Sequence, residues 1–336
     1  MDFDTCYGDA VESLRPDDLD RQLAHALGLD GRAPFSRIAE VLGTSDQTIA
    51  RRYRRLRGNG LLRVVGLRNP AHVQSIRWWL RLQCAPGAAP AIAAALARRP
   101  DTSWVQLVSG GTEILCAARA DTPAERDALL LDKLPRTGRI TSVSAHSMLH
   151  MFFGGAMGGY PQILAALSAD QAAQLAPARR PVEADPIRTN ELDERLFAAL
   201  ATDGRIPHAE LAAITGWSES TVRRRMEQLL ESGTLFYDLE VDAAAFGFHT
   251  EAWLWMSVRP SQLAAVGAEL ARHPEVAFAA ATTGPSNLAA SVLCPDSAGL
   301  YRYLTERIGA IDAIRHLETA PIIRTVKQAG ALLPVA

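Results

Sequence analysis

Along the first sixty positions apolar residues recur at helical spacing, and beyond them the chain switches to short strand-like runs. Leu19, Leu23, Ala26 and Leu27 fall three or four apart and predict a helix that Asp30-Gly31 ends. A second predicted helix follows Pro34, turns Ile38, Val41 and Leu42 inward and stops at Gly43. Ser45 then caps a third, in which Ile49, Tyr53 and Leu56 share one face. Helix, short glycine-containing turn, helix is the helix-turn-helix arrangement. The run LLRVVGLR is strand-like and leads to a second part. There IRWWLRLQC reads as a strand, APAIAAALARRP as a helix, and SWVQLVSGGTEILCAAR as two strands around a glycine turn. A helix around PAERDALLLDKL and a strand around RITSVSAHSML complete a βαββαβ order, which predicts one ferredoxin-like sheet backed by two helices.

The whole pattern occurs twice. The segment from Leu19, LDRQLAHALGLDGRAPFSRIAEVLGTSDQTIARRYRRLRGNGLL, aligns without a gap on the segment from Leu192, LDERLFAALATDGRIPHAELAAITGWSESTVRRRMEQLLESGTL. Asp20/Asp193, Gly31/Gly204, Arg32/Arg205, Gly43/Gly216, Ser45/Ser218, Arg51/Arg224 and Arg52/Arg225 are among the matches. The echo continues at ALARRPDTSW beside ELARHPEVAF and VSGGTE beside TTGPSN. The expected fold class is therefore α+β: two copies of a winged or tri-helical helix-turn-helix domain, each followed by a ferredoxin-like βαββαβ domain. The expected divisions are a flexible tail (1–16), helix-turn-helix domains at 17–62 and 189–235, ferredoxin-like domains at 63–152 and 236–336, and a Gly/Pro/Ala-rich linker (153–188). One short helix is expected in that linker at SADQAAQL, with Ser168 as its cap.

Chemistry concentrates on the third helix of the first copy. Placing Ile49 at the core puts Gln47, Arg51, Arg54 and Arg55 on the opposite face, with Thr48 at its edge. In a helix-turn-helix this helix enters the major groove, where Gln47 and Arg51 are the expected base readers. Arg54, Arg55 and Arg57 are the expected phosphate contacts, which give affinity without sequence choice. Arg52 points nearer the core edge, where an ion pair or packing competes with DNA contact. The same projection of the second copy exposes Ser220, Thr221, Arg224, Glu227 and Gln228, with Glu219 and Glu231 nearby. Acids repel phosphate, so this helix is expected to bind DNA more weakly or to read a different half-site, and Trp217 is expected to fill its turn.

Composition narrows the remaining classes. The chain has 336 residues and a formal net charge of -2, so any basic surface is local. The acidic start lacks a basic region before an apolar core, and no segment is long and unbroken enough to read as a membrane span. Cys6, Cys84, Cys116 and Cys294 are scattered without a CxxC pair, which suits a reducing cytoplasm. His146 and His150, at i, i+4 in a strand-like region, have no third metal ligand in view, and Trp78, Trp79, Trp253 and Trp255 are expected in a sheet or dimer core. FGGAMGG lacks the Lys-Ser/Thr ending of a phosphate loop. No catalytic residue, metal or cofactor is expected.

The repeated LDRQL…LGLDGRAPFSRIAEVLGTSDQTIARRYRRLRGNGLL, the linking strand and the βαββαβ order together resemble the leucine-responsive/asparagine-operon (Lrp/AsnC) regulators. The resemblance implies a transcriptional regulator that binds double-stranded DNA, pairs through its sheets and binds a small effector such as an amino acid. Two modules in one chain imply an intramolecular pseudo-dimer with half-sites about one helical turn apart, and further self-association into a homo-oligomer, with no membrane partner. The family's Gly-x-x-Asp turn beside the effector pocket corresponds to Gly110-Gly111-Thr112-Glu113 and Gly284-Pro285-Ser286-Asn287. Gly110, Thr112, Glu113, Gly284, Ser286 and Asn287 are thus the implied effector residues, with Glu113 keeping a carboxylate for an ammonium group and Asn287 not. The acidic second copy also fits a ligand-sensing assembly protein with weak DNA binding, and siroheme decarboxylases, which share this two-part architecture, set the rival, enzymatic expectation. This chain has no run resembling their aromatic-Pro-Tyr-Asn segment and no His-Arg pair after the linking strand, where His72 is the nearby candidate general acid.

Overall fold

The structure, a computed structural model, describes residues 15–69, 76–120, 122–133, 138–154, 164–176, 187–328 and 331–332. Cys6 and most of the expected tail, His72 and most of the Gly-rich run lie outside the described residues. The chain forms two compact units that cut across the repeat: Met1–His72 with Gly158–His249, and Val73–Met157 with Thr250–Ala336. Like joins like, helix-turn-helix with helix-turn-helix and sheet with sheet.

In the first unit, α1 (Asp18–Leu29), α2 (Phe35–Leu42) and α3 (Asp46–Gly58) surround a core of Leu23, Leu27, Ile38, Ile49, Tyr53 and Leu56. Gly43 ends α2 at φ 66° and Gly216 ends its counterpart at φ 76°, a left-handed conformation that makes the tight turn and that a Cβ would strain. Strand β1 (Leu62–Arg68) follows, and its partner comes from the other copy. It pairs antiparallel with β6 (Leu235–Val241), from Leu62 opposite Val241 to Arg68 opposite Leu235. These linking strands, expected to open the ferredoxin-like domains at 63 and 236, belong instead with the helices. The reason is pairing: a lone strand leaves its backbone amides and carbonyls unbonded, and each strand also has an apolar face to bury. Leu62, Val64, Leu239 and Val241 enter the first helical core, and Leu235 enters the second with Leu196, Leu200, Leu211, Val222, Met226 and Leu229.

The expected linker is not a free spacer over its described part. Phe153 lies in a sheet core, and a short helix, α6 (Ala169–Leu175), capped by Ser168, lies on the first helix-turn-helix copy. Leu164 and Leu175 are buried in that core, and Gln171 Nε2 donates to the Val41 carbonyl at 3.3 Å. Next to it, His25 Nδ1 accepts hydrogen bonds from the Ala166 and Leu167 amides at 3.2 and 3.1 Å. An imidazolium has no acceptor, and burial holds the His25 pKa below its ordinary value. Because the folded pKa is depressed, this attachment is intact above the ordinary histidine value of about 6.5 and weakens as pH falls below it. Hydrogen exchange at Ala166 and Leu167, corrected for intrinsic rates, is expected to lose protection between about pH 7.5 and about pH 5.5. Equal protection at both would refute this role for His25.

In the second unit each copy builds the expected order. The first comprises β2 (Ile76–Cys84), α4 (Ala89–Ala97), β3 (Thr102–Val108), β4 (Glu113–Ala120), α5 (Pro123–Asp127, prolonged by a π turn to Lys133) and β5 (Ile140–Phe153). The second comprises β7 (Thr250–Val258), α10 (Leu263–Leu270), β8 (Val276–Thr282), β9 (Leu288–Cys294), α11 (Ser297–Arg302) and β10 (Ile314–Gln328), on which a short β11 (Ala331–Leu332) pairs. The sheets run β5-β2-β4-β3 and β10-β7-β9-β8, and the long strands β5 and β10 also pair with β8 and β3 of the other copy. The eight strands thereby close on one another. Helices cover the outer faces, as with Ala93 and Leu96 over Leu80 and Leu82, and Val266 and Leu270 over Leu254 and Met256. Trp79, Trp253, Trp255 and Phe278 fill the space between the sheets, while Trp78, one place along the strand, turns outward to the helices.

Candidate nucleic-acid interface

Helix α3 starts where the Ser45 hydroxyl accepts the Thr48 amide at 3.2 Å. Its counterpart, α9 (Glu219–Glu231), packs behind α8 (His208–Thr215), and Ser218 accepts the Thr221 amide at 3.2 Å. The third helix of the first copy has its apolar stripe as expected, with Ile49, Tyr53 and Leu56 buried. Opposite it Gln47, Arg51 and Arg54 are exposed, and among the described residues Arg51 makes no ion pair. Arg54 Nε donates to the Ala50 carbonyl at 3.3 Å, which lays the side chain along the helix. The Thr48 hydroxyl lies 2.9 Å from Ser45 Oγ, and the Ser220 and Thr221 hydroxyls lie 2.9 and 2.8 Å from Ser218 Oγ. These three hydroxyls are thus already engaged at the helix caps.

Two of the expected phosphate contacts are engaged by carboxylates. Arg55 forms an ion pair with the fully buried Asp20, and Arg57 reaches Asp203 at 2.9 Å. A buried carboxylate needs a partner, and guanidinium groups one helical turn apart supply it. Arg52 resolves toward the ion pair, bonding Asp17 at 2.6 Å and Asp20 at 2.9 Å. Desolvation opposes ionisation of Asp17, but the Arg52 bond and the Asp20 amide hold its carboxyl below the ordinary value.

The second copy repeats this base with a simpler pattern. In α7 (Glu191–Thr202), Asp193 is fully buried and receives both Arg225 Nε and Arg225 Nη2 at 2.8 Å, together with the Asn190 amide at 2.9 Å. Although desolvation works against the charge, Arg225 holds the Asp193 carboxyl below its ordinary value. Reading along a single helix misses these pairs. The signal was available in the repeat, because Asp20/Asp193 and Arg52/Arg225 are both preserved in the alignment. The exposed face of α9 carries Arg223, Arg224, Glu227 and Gln228, with Glu219 and Glu231 at its ends, so its charge is mixed. Arg225 Nη1 also donates to Gln228 Oε1 at 3.5 Å.

The effector turns differ from one another. In the first, Ser109, Gly110 and Gly111 take φ values of 52°, 73° and 82°, and Thr112 is exposed with its hydroxyl on the Ser109 carbonyl. Glu113 is buried and its carboxylate is engaged: Arg81 Nε donates to it at 2.6 Å and the Ser109 hydroxyl at 2.9 Å. Arg81 also binds Glu318 and lies 5.0 Å from the Trp255 ring centroid. Burial works against the Arg81 charge, but Glu318 and Glu113 hold its pKa above the ordinary value. The carboxylate expected for an effector ammonium therefore has a built-in cation. In the second turn Gly284 has φ 105°, the Ser286 carbonyl accepts the Thr282 hydroxyl, and both polar atoms of the Asn287 side chain bond the Val258 backbone, at 2.8 and 2.9 Å. His146, from the other copy's strand β5, donates Nδ1–H to the Thr283 carbonyl at 2.8 Å and faces Trp255.

Among the described residues, no group of three or more His, Cys, Asp and Glu is placed to hold a metal ion, and no helix is long and apolar enough to cross a membrane. Cys84, Cys116 and Cys294 are free and buried, and burial pushes the Cys116 thiol up to about 12.

A family model described as the AsnC-type helix-turn-helix domain matches residues 17–57 and again 190–230, and one described as the Lrp/AsnC ligand binding domain matches 251–332. The HTH-type transcriptional regulator Rv2324 of Mycobacterium tuberculosis is 33% identical over 141 residues, spanning 40% of this chain and 93% of that protein. The HTH-type transcriptional regulator FL11 of Pyrococcus horikoshii is 28% identical over 144 residues, 43% of this chain and 95% of that protein. Each relative matches about one module's length. Across 93% of both chains the fold is similar to the crystal structure of the siroheme decarboxylase NirDL, with a TM-score of 0.63 and 13% identity. That likeness is one of fold. Two helix-turn-helix units joined to a ligand-binding type of sheet place the chain among sequence-specific, DNA-binding transcriptional regulators. It belongs to the Lrp/AsnC family and carries two of the family's modules as a pseudo-dimer within one polypeptide.

Proposed function

We propose that the chain regulates transcription through an unequal pair of reading helices, α3 being the stronger. The observation that carries this reading is the exposed, acid-poor face of Gln47, Arg51 and Arg54, set against the mixed charge of Ser220, Arg224, Glu227 and Gln228. Guanidinium and amide groups on such a face match guanine and adenine edges, whereas glutamates beside Arg224 face phosphate repulsion. Arg52, Arg55 and Arg225 hold the helices on their scaffolds rather than meeting DNA. A small effector acts at the sheet unit, where Arg81 already engages Glu113 of the first turn and the Val258 backbone already engages Asn287 of the second. The protein acts without catalytic residues in the cytoplasm, and self-associates beyond its internal pair.

The test is selection of bound duplexes from random sequence with the purified full chain, followed by two variants. Alanine at Gln47, Arg51 and Arg54 is expected to weaken the selected duplex about tenfold or more beyond the loss from alanine at Ser220, Arg224 and Gln228. Equal losses would overturn the inequality. Bound tetrapyrrole absorbance in the preparation would overturn the regulatory reading in favour of the enzymatic one, and no selected duplex would overturn it in favour of a ligand-sensing assembly protein with weak DNA binding.

A further inference from the structure

The repeated Asp-Gly-Arg turns, Asp30-Gly31-Arg32 and Asp203-Gly204-Arg205, meet each other in the first unit and exchange their arginines. Arg32 donates Nη1 to the Gly204 carbonyl at 3.0 Å and Nη2 to the Ile206 carbonyl at 3.1 Å. Arg205 returns the same bonds, Nη1 to the Gly31 carbonyl at 2.7 Å and Nη2 to the Ala33 carbonyl at 3.0 Å. Each turn is shaped by its own aspartate, since Asp30 and Asp203 accept the amides of Arg32 and Arg205 at 3.0 and 2.9 Å. The Gly204 amide donates to the Val64 carbonyl at 2.7 Å. A Cβ at Gly204 would lie 2.8 Å from the Val65 carbonyl carbon, and one at Gly31 would lie 2.8 Å from Tyr237 Cβ, so glycine is what permits the approach. Arg205 lies 4.3 Å from the Phe35 ring centroid and 5.5 Å from that of Tyr53, a core residue of α3 itself.

We infer that these turns form a reciprocal clasp that holds the two reading helices in one rigid body, so that a single chain accepts paired half-sites at one spacing. The clasp stands on its own geometry, and its consequence for half-site spacing rests on the DNA reading proposed above. Four charge-assisted bonds cross between the copies in a two-fold pattern, each guanidinium bridging two carbonyls on the opposite turn. The planar fork of arginine spans such a pair and the single ammonium of lysine does not. The β1–β6 ribbon joins the copies, and both turns seat on it at Val64, Val65 and Tyr237. The exchanged arginines tie the turn after α1 to the turn after α7 and fix the copies against sliding or tilting on that ribbon.

The test uses the full chain with Cys6→Ser and spin labels at Glu40→Cys and Ala213→Cys, two exposed and equivalent positions outside the reading faces; the remaining cysteines are buried. Without DNA, one narrow distance is expected in the parent, and a distribution about twofold broader in Arg32→Lys/Arg205→Lys, at unchanged far-ultraviolet circular dichroism. Equal widths would overturn the clasp. If the lysine pair unfolds, the single Arg32→Lys gives the same comparison. With a duplex selected by the parent, a half-turn insertion between half-sites is expected to cost the parent about a hundredfold in affinity and the lysine pair under about tenfold. Equal penalties would overturn the spacing role. A parent that selects no duplex yet keeps its narrow distance would sink the DNA reading and leave the clasp standing.

Discussion

Arg51→Ala is expected to weaken binding to a selected duplex by about 1 to 3 kcal/mol and to flatten the preference at one base position. Arg51 is exposed on the reading face and among the described residues makes no ion pair, so its guanidinium is available for a base edge. Arg55→Ala is expected to differ in kind. Its partner is the buried Asp20, and losing it should lower the melting temperature more than it changes the salt dependence of binding. Titrations of both variants at several salt concentrations, against duplexes with single-base changes, separate the two effects. An Arg51→Ala variant that binds every duplex as the parent does would remove this residue as a reader.

Asp193→Ala is expected to destabilise the first unit by about 3 kcal/mol, because it removes the carboxylate that neutralises the Arg225 guanidinium and leaves the Asn190 amide without its acceptor. Asp193→Asn retains the shape and an acceptor, and should fall between alanine and parent. The pH dependence follows from the depressed pKa of this carboxyl. An unfolded aspartate of ordinary pKa takes up its proton first, so the contribution is complete above about pH 4 and disappears as pH falls through the lower folded value. Urea unfolding at neutral and acidic pH reads both effects. A neutral-pH midpoint equal to the parent's would show that the ion pair contributes nothing net.

Much of this organisation was legible in the residues. Helix order, caps and the reading face follow from spacing, since Ile49, Tyr53 and Leu56 can be buried together only if Arg51 and Arg54 point away. The βαββαβ order followed from strand-like runs set around a glycine turn. The pairing of the linking strands was not legible, because a strand's partner lies up to 179 positions away at Leu62 and Val241 and leaves no local trace. The linker helix was visible in its cap, but its docking onto His25 was not.

What periodicity and the internal repeat decide alone is the list of elements, their duplication and which side of each helix is apolar. Only the folded chain decides which of the exposed arginines are free. Arg51, Arg54, Arg55 and Arg57 look alike on a helical projection, with Arg52 nearer the core edge, yet Asp17, Asp20 and Asp203 claim Arg52, Arg55 and Arg57. The same holds for Glu113, whose carboxylate is engaged by Arg81 from a neighbouring strand. The physical reason is common to these cases. Burial and charge pairing are set by atoms brought together across the fold, whereas spacing along the chain reports only the geometry of one element at a time.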